Sequence, residues 1–233
     1  MSEKNPFKTL NRFEWLLWIC SNLIIIASFL LGKEFDLLVL TASLIGATAL
    51  IFVAKGNPFG QIMTVVFAVF YAVISYRFKY YGEMITYLGM TSPMAIAATV
   101  EWFKNPFEKG TSEVKIKKLT RKGCVILWGL TVVVTFAFYF ILKVFDTPNL
   151  FFSTVSIATS FLASGLTFLR NPYYALAYAG NDIVLIILWI LASIAEPENA
   201  PMIICFIIFF INDSYGFINW KKMRKRQGVQ SEK

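Results

Sequence analysis

FDLLVLTASLIGATALIFVA (Phe35–Ala54), KGNP (Lys55–Pro58) and FGQIMTVVFAVFYAVISY (Phe59–Tyr76) follow one another without a break. Each apolar run approaches the roughly 20 residues that a helix rising about 1.5 Å per residue needs to cross a hydrocarbon core about 30 Å thick. Asp36, at the edge of the first run, is the one charge in either. Six further runs have the same character: Trp15–Leu31, Tyr81–Trp102, Gly123–Leu142, Leu150–Leu169, Tyr173–Ala195 and Pro201–Trp220. The expectation is an all-α integral membrane protein of eight transmembrane helices, the third a short one that leans on its flanks. The first run has no small-residue cleavage site and leads straight into the second, so it is expected to stay as a helix.

The basic residues orient the chain, because Lys and Arg are retained on the cytoplasmic side of short loops. Of the 22, eighteen fall in the N-tail, the second, fourth and sixth connections and the C-tail, from Lys4 to Lys233, and four fall on the other side: Lys33, Arg77, Lys79 and Lys143. Both termini are therefore expected in the cytoplasm of a cell membrane. The net charge of +8 reads as topology, not as a nucleic-acid surface.

Composition excludes most chemistry. With 233 residues, 57% of them hydrophobic, and Phe103–Lys122 the one substantial loop, there is no room for a soluble catalytic domain. The chain has no histidine, which removes imidazole bases, the usual zinc sites and haem ligation. It has no phosphate-binding G-x-x-x-x-G-K-[ST] loop, and no Lys lies within a span to serve a serine nucleophile. Cys20, Cys124 and Cys205 lie apart, without C-x-x-C spacing, and read as buried free thiols. A non-enzyme is expected, with no cofactor and no metal.

The KGNP turn recurs. Lys55-Gly56-Asn57-Pro58-Phe59 matches Leu169-Arg170-Asn171-Pro172-Tyr173 at an offset of 114, and Glu101-Trp102 matches Asn219-Trp220 at an offset of 118. The four extra residues fit in the turn Ile194–Pro201. This divides the chain into a tail with an extra helix (1–34), a first three-helix repeat (35–102), a loop and connector helix (103–149), a second repeat (150–220) and a basic tail (221–233). One connecting crossing makes the repeats parallel, a transporter plan in which the substrate site lies near midplane between them. A terminal Trp also serves as an ordinary interfacial anchor.

Strongly polar side chains at membrane depth cost about 2.5 to 3.5 kcal/mol on insertion scales, so those that persist mark function or helix association. Asn181 lies eight residues after Tyr173, about 12 Å into the seventh span. Asp182 follows it, and Leu185 and Trp189 continue its face. In the eighth span Asn212 and Asp213 form a second pair, with Tyr215 beyond. Asn181 and Asn212 are expected to contact a neutral or hydroxyl-rich solute, since an amide both donates and accepts. The aspartates serve either there or as interhelical glue. Tyr87 in the fourth span and Tyr71 and Gln61 in the third are further candidates, with Tyr71 and Trp189 able to sandwich a heteroaromatic ring. Pro93 is expected to kink the fourth span and free a carbonyl. Glu83, near its outer end, reads as a solvated rim carboxylate.

At Gly56-Asn57-Pro58-Phe59-Gly60, Tyr81-Gly82-Glu83-Met84, Ser92-Pro93-Met94 with Trp102, and Asn212-Asp213-Ser214-Tyr215-Gly216-Phe217 with Asn219-Trp220-Lys221-Lys222-Met223, the sequence resembles the PnuC family of bacterial nicotinamide riboside transporters. The likeness covers about Leu37 to Met223. It implies a 3+1+3 arrangement similar to SWEET sugar transporters, facilitated diffusion without energy input, and phosphorylation of the vitamin inside the cell to feed NAD synthesis. Family members often carry a Trp shortly before the Asn of the seventh span, where this chain reads Ala175-Leu176-Ala177-Tyr178-Ala179-Gly180. Another nucleoside or heteroaromatic vitamin (deoxynucleoside, thiamine, riboflavin) is the alternative cargo. A membrane-embedded binding subunit of an energy-coupling-factor importer, docking ATPase partners through Lys104–Lys122, is the alternative role. The partners implied are a small-molecule substrate and membrane lipid, with a homo-oligomer left open.

Overall fold

The computed structural model describes residues 5–32, 35–77 and 81–228. Lys4, Lys33, Lys79 and Lys233 of the charge count lie outside the described residues. Nine α-helices are described: α1 Arg12–Leu31, α2 Leu37–Ala54, α3 Pro58–Arg77, α4 Tyr81–Thr86, α5 Ser92–Lys104, α6 Arg121–Val144, α7 Leu150–Phe168, α8 Tyr173–Ala195 and α9 Ala200–Arg226. Among the described residues seven helices are long and apolar enough to cross a membrane. The fourth apolar run differs: a π-helical turn, Tyr87–Thr91, divides it into α4 and α5. Pro93 has no N–H to bond a carbonyl four residues back, and the Ser92 N–H reaches Tyr87 O, five residues back. The expected irregularity at Pro93 is thus a widened turn just before it.

Local signals fix the ends. Asn11 Oδ1 accepts from Glu14 N at 2.9 Å while Glu14 Oε2 accepts from Asn11 N at 2.7 Å, a reciprocal cap on α1. Asp36 Oδ1 caps α2 through Leu38 N and Val39 N. The α2–α3 and α7–α8 corners are built alike. The residue before each Asn is left-handed, Gly56 at φ 67° and Arg170 at φ 56°. Asn57 N donates to Phe52 O and Asn171 N to Leu166 O, at 2.9 and 3.0 Å. The Asn side chains then accept from Phe59 N and Tyr173 N, at 3.0 and 3.1 Å, starting α3 and α8 behind Pro58 and Pro172.

In the bundle α2 is the most enclosed helix, packed between α1, α3 and α9, with Ile51 and Phe52 fully buried. The connector α6 lies at the edge and buries only Leu127, Thr131 and Leu142. Its Val125, Trp128, Val132, Val133 and Phe136 face outward, where a bilayer covers them without cost. Cys205 is buried and Cys124 partly so, but Cys20 is exposed on the outer side of α1, contrary to the buried expectation. Both described chain ends lie at one end of the bundle, where Glu14 near the start of α1 meets Tyr215 of α9 and Lys55 after α2.

The α2–α3 corner closes only because Gly60 has no side chain. A Cβ there would stand 2.8 Å from Phe52 C and closer still to Val53 N, and backbone atoms cannot swing aside. Gly60→Ala is expected to destabilise the protein by about 1–3 kcal/mol, as overpacking does elsewhere. A clear fall in melting temperature in detergent is the expected reading.

Candidate functional site

Between the helices lies a central cavity of about 80 Å³, lined by residues of α2, α3, the π turn, α7, α8 and α9 but none of α1 or α6. Asn181 enters it from α8. Its Oδ1 accepts from Thr159 Oγ1 at 2.8 Å and Ser156 Oγ at 3.1 Å, so α7 fills its acceptor and leaves the amide N–H donors to offer. Asp182 of α8 and Asp213 of α9 line the same space. Asp182 Oδ2 is buried and has no hydrogen-bond partner among the described residues. Gln61, Tyr87 and Leu185 complete the sequence-derived set lining this space.

A second, distal cavity of about 220 Å³ opens at the end of the bundle away from the termini. Tyr71, Glu83, Leu185 and Trp189 line it, with Ser75, the Thr147–Asn149 corner and Ser153. Tyr71 and Tyr87, their rings 4.3 Å apart, stand one in each cavity and form the partition with Leu185. Trp189 stacks on Phe206 at 6.5 Å and an interplanar angle of 17°. Glu83 is part of this lining, not simply a solvated rim group.

Two sequence candidates are not brought to either cavity. Asn212 Nδ2 donates to Ser21 Oγ of α1 at 3.0 Å and to Ile208 O at 2.8 Å. Tyr215 Oη donates to Glu14 Oε1 of α1 at 2.7 Å. Helical phase is the reason: Phe206, Phe209 and Asp213 share the cavity face of α9, whereas Ile208, Asn212 and Tyr215 follow one another at four and three residues on the face that α1 covers. The expected convergence of Asn181 and Asn212 does not occur here. Sequence reasoning passed over Tyr178, whose Oη lies 3.0 Å from Ser164 Oγ at the cavity wall, one turn before Asn181 on the same face. The three-residue spacing was the available signal.

At the terminal end the path is sealed. Trp102 Nε1 of α5 donates to Thr167 O of α7 at 3.0 Å and Trp220 Nε1 of α9 donates to Val53 O of α2 at 2.9 Å. The two rings lie 5.3 Å apart and both are buried. Over them runs the 105–120 loop, whose Val114 N bonds Gly56 O and whose Lys117 N bonds Arg170 O, one corner each. Arg170 Nη2 pairs with Glu101 at 3.1 Å. Burial holds this guanidinium below its ordinary range, and Glu101 pulls the other way.

An apolar helical bundle enclosing a polar cavity defines a multi-pass α-helical membrane protein. The family model described as nicotinamide mononucleotide transporter matches residues 36–222, and the chain belongs to this transporter family. It is 28% identical to the nicotinamide riboside transporter PnuC of Neisseria mucosa over 193 residues, covering 81% of this chain and 73% of that protein. To the nicotinamide riboside transporter PnuC of Haemophilus influenzae it is 25% identical over 190 residues, covering 81% of each. The crystal structure of a vitamin B3 transporter PnuC superposes with a TM-score of 0.81 at 26% identity, covering 94% of both chains.

Removing one indole N–H leaves a buried carbonyl one donor short. Trp102→Phe or Trp220→Phe is expected to cost about 1 kcal/mol, or roughly 2–4 °C in melting temperature. Differential scanning fluorimetry in detergent reads it; no shift in either variant would mean that the seal does not depend on these bonds.

Proposed function

We propose that this chain carries nicotinamide riboside across the bacterial cell membrane by facilitated diffusion, feeding NAD synthesis once the vitamin is phosphorylated inside the cell. The observation that carries the reading is the central cavity, walled by six spans, two groups of three, and by neither α1 nor α6. The cargo comes from the names of its relatives and fits the lining. Asn181 supplies N–H donors for hydroxyls or a carboxamide oxygen, Gln61 and the Asp182–Asp213 pair supply further polar groups, and Tyr87 and Tyr178 supply ring faces.

The path is a parallel pair of three-helix repeats, residues 35–102 and 150–220, in a SWEET-like 3+1+3 plan of eight crossings. Residues 103–149 connect them, 1–34 add a helix and 221–233 form a basic tail. The matched corners at Asn57 and Asn171 and the crossed indoles of Trp102 and Trp220 support this reading. Both termini and the 105–120 loop face the cytoplasm, on the strength of the basic bias. The conformation is then outward-facing, the distal cavity open and the cytoplasmic seal closed. Because Val114 and Ile116 of the loop are buried against the chain's own helices, these two side chains are taken up within the chain and are not free to dock an ATPase.

Asn181→Ala should weaken nicotinamide riboside binding by about 1–3 kcal/mol, tenfold or more, with the fold intact. Asn212→Ala should instead loosen α1 and lower the melting temperature while affinity stays near wild type. Calorimetric titration of the purified variants, with thiamine, riboflavin and a deoxynucleoside as comparison ligands, separates them. Unchanged affinity in folded Asn181→Ala, or tighter binding of a comparison ligand, would contradict the assignment.

A further inference from the structure

The distal cavity holds almost three times the volume of the central one, about 220 against 80 Å³, so in this conformation it has more room for a nucleoside-sized solute. Its chemistry is one-sided. Two carboxylates, Glu83 and Glu196, line it, and none of the described residues around it is Lys or Arg. Arg77, on the same end of the bundle, lines a separate pocket and pairs with Asp36 at 3.3 Å. Two large rings, Tyr71 and Trp189, present the apolar part of the wall and are 4% and 9% exposed. Glu83 is held by close packing at its neighbour. A Cβ on Gly82 would collide with Leu142 Cδ2 and Thr147 Oγ1, so α4 lies hard against the α6–α7 corner. The Tyr71 ring then leads directly to Tyr87 and the central cavity.

A carboxylate beside aromatic faces in a concave, low-dielectric site selects a cation, and rings select one that is flat and weakly hydrated. We propose that the distal cavity is a separate capture site for an aromatic cation, where Glu83, Tyr71 and Trp189 receive the pyridinium of the substrate before it passes the tyrosine partition. This rests on the nicotinamide riboside reading above and gives the cavity a role ahead of the central site: selection by charge before the substrate reaches the Asn181 and Gln61 amides. Ser75, Thr147 and Ser153 around the cavity offer hydroxyls to the sugar.

The test compares cationic nicotinamide riboside with its neutral 1,4-dihydro form as substrates for the full chain in proteoliposomes at low ionic strength. In Glu83→Gln the half-saturation concentration of the cation should rise about tenfold while that of the neutral form changes less than about twofold, and Glu83→Asp, which keeps the charge, should restore most of the cation's affinity. An equal effect on both forms, or none on the cation in folded protein, overturns the capture site. Should Glu83→Gln not fold, the wild type decides. N-methylnicotinamide cation must then compete with nicotinamide riboside at least about tenfold better than neutral nicotinamide, and parity overturns the proposal. Wild type that moves neither form removes the transport reading itself, and this proposal with it. A transporting wild type with a charge-blind Glu83→Gln removes the capture site alone.

Discussion

The two indole N–H bonds at the terminal end hold the arrangement together. Val53 O and Thr167 O belong to the last turns of α2 and α7, where carbonyls lose their intrahelical partners. Each accepts one bond from its own corner, from Gly56 N and Arg170 N, and a second from a Trp of a distant helix, Trp220 of α9 and Trp102 of α5 respectively. The second acceptor position of each carbonyl is thus filled only when α9 meets α2 and α5 meets α7, in surroundings where polar groups gain from every bond they make.

Much of the remaining geometry depends on that closure. Trp102 and Trp220 stand side by side, with Tyr174 against Trp220 at 4.8 Å, and these rings pack α5, α8 and α9 together at that end. Toward the other end lie first the central and then the distal cavity, with Tyr71, Tyr87 and Leu185 between them. The π turn before Pro93 places Tyr87 and Thr91 in the central wall. A regular helix would carry these residues at a different phase. The 105–120 loop links both corners to α9, where Gln227 Oε1 accepts from Ile116 N at 2.7 Å and Arg226 pairs with Glu113. Opening of the seal must therefore move this loop or break its bonds.

Local signals made most of the fold legible. Run length gave the spans, Asn-Pro the two corners, and depth along α8 identified Asn181, Asp182, Leu185 and Trp189 as lining. What stayed hidden depended on helical phase and on distant partners. Asn212 and Asp213 are adjacent in sequence yet face α1 and the cavity respectively, and nothing near them announces that α1, some 190 residues earlier, covers one side. Glu83 looked like a rim group because its depth was visible and the cavity beside it was not. Trp102 and Trp220 read as interfacial anchors, but they are buried donors to the ends of α7 and α2.

Equilibrium uptake by the chain alone tests the central claim most directly. Purified protein in liposomes, with labelled nicotinamide riboside outside and no ATP or ion gradient, should fill the vesicles to the external concentration and stop there. Preloaded unlabelled vitamin should produce transient counterflow. Accumulation above the external level only when ATP and a partner ATPase are added, or no counterflow from intact reconstituted protein, would contradict the account.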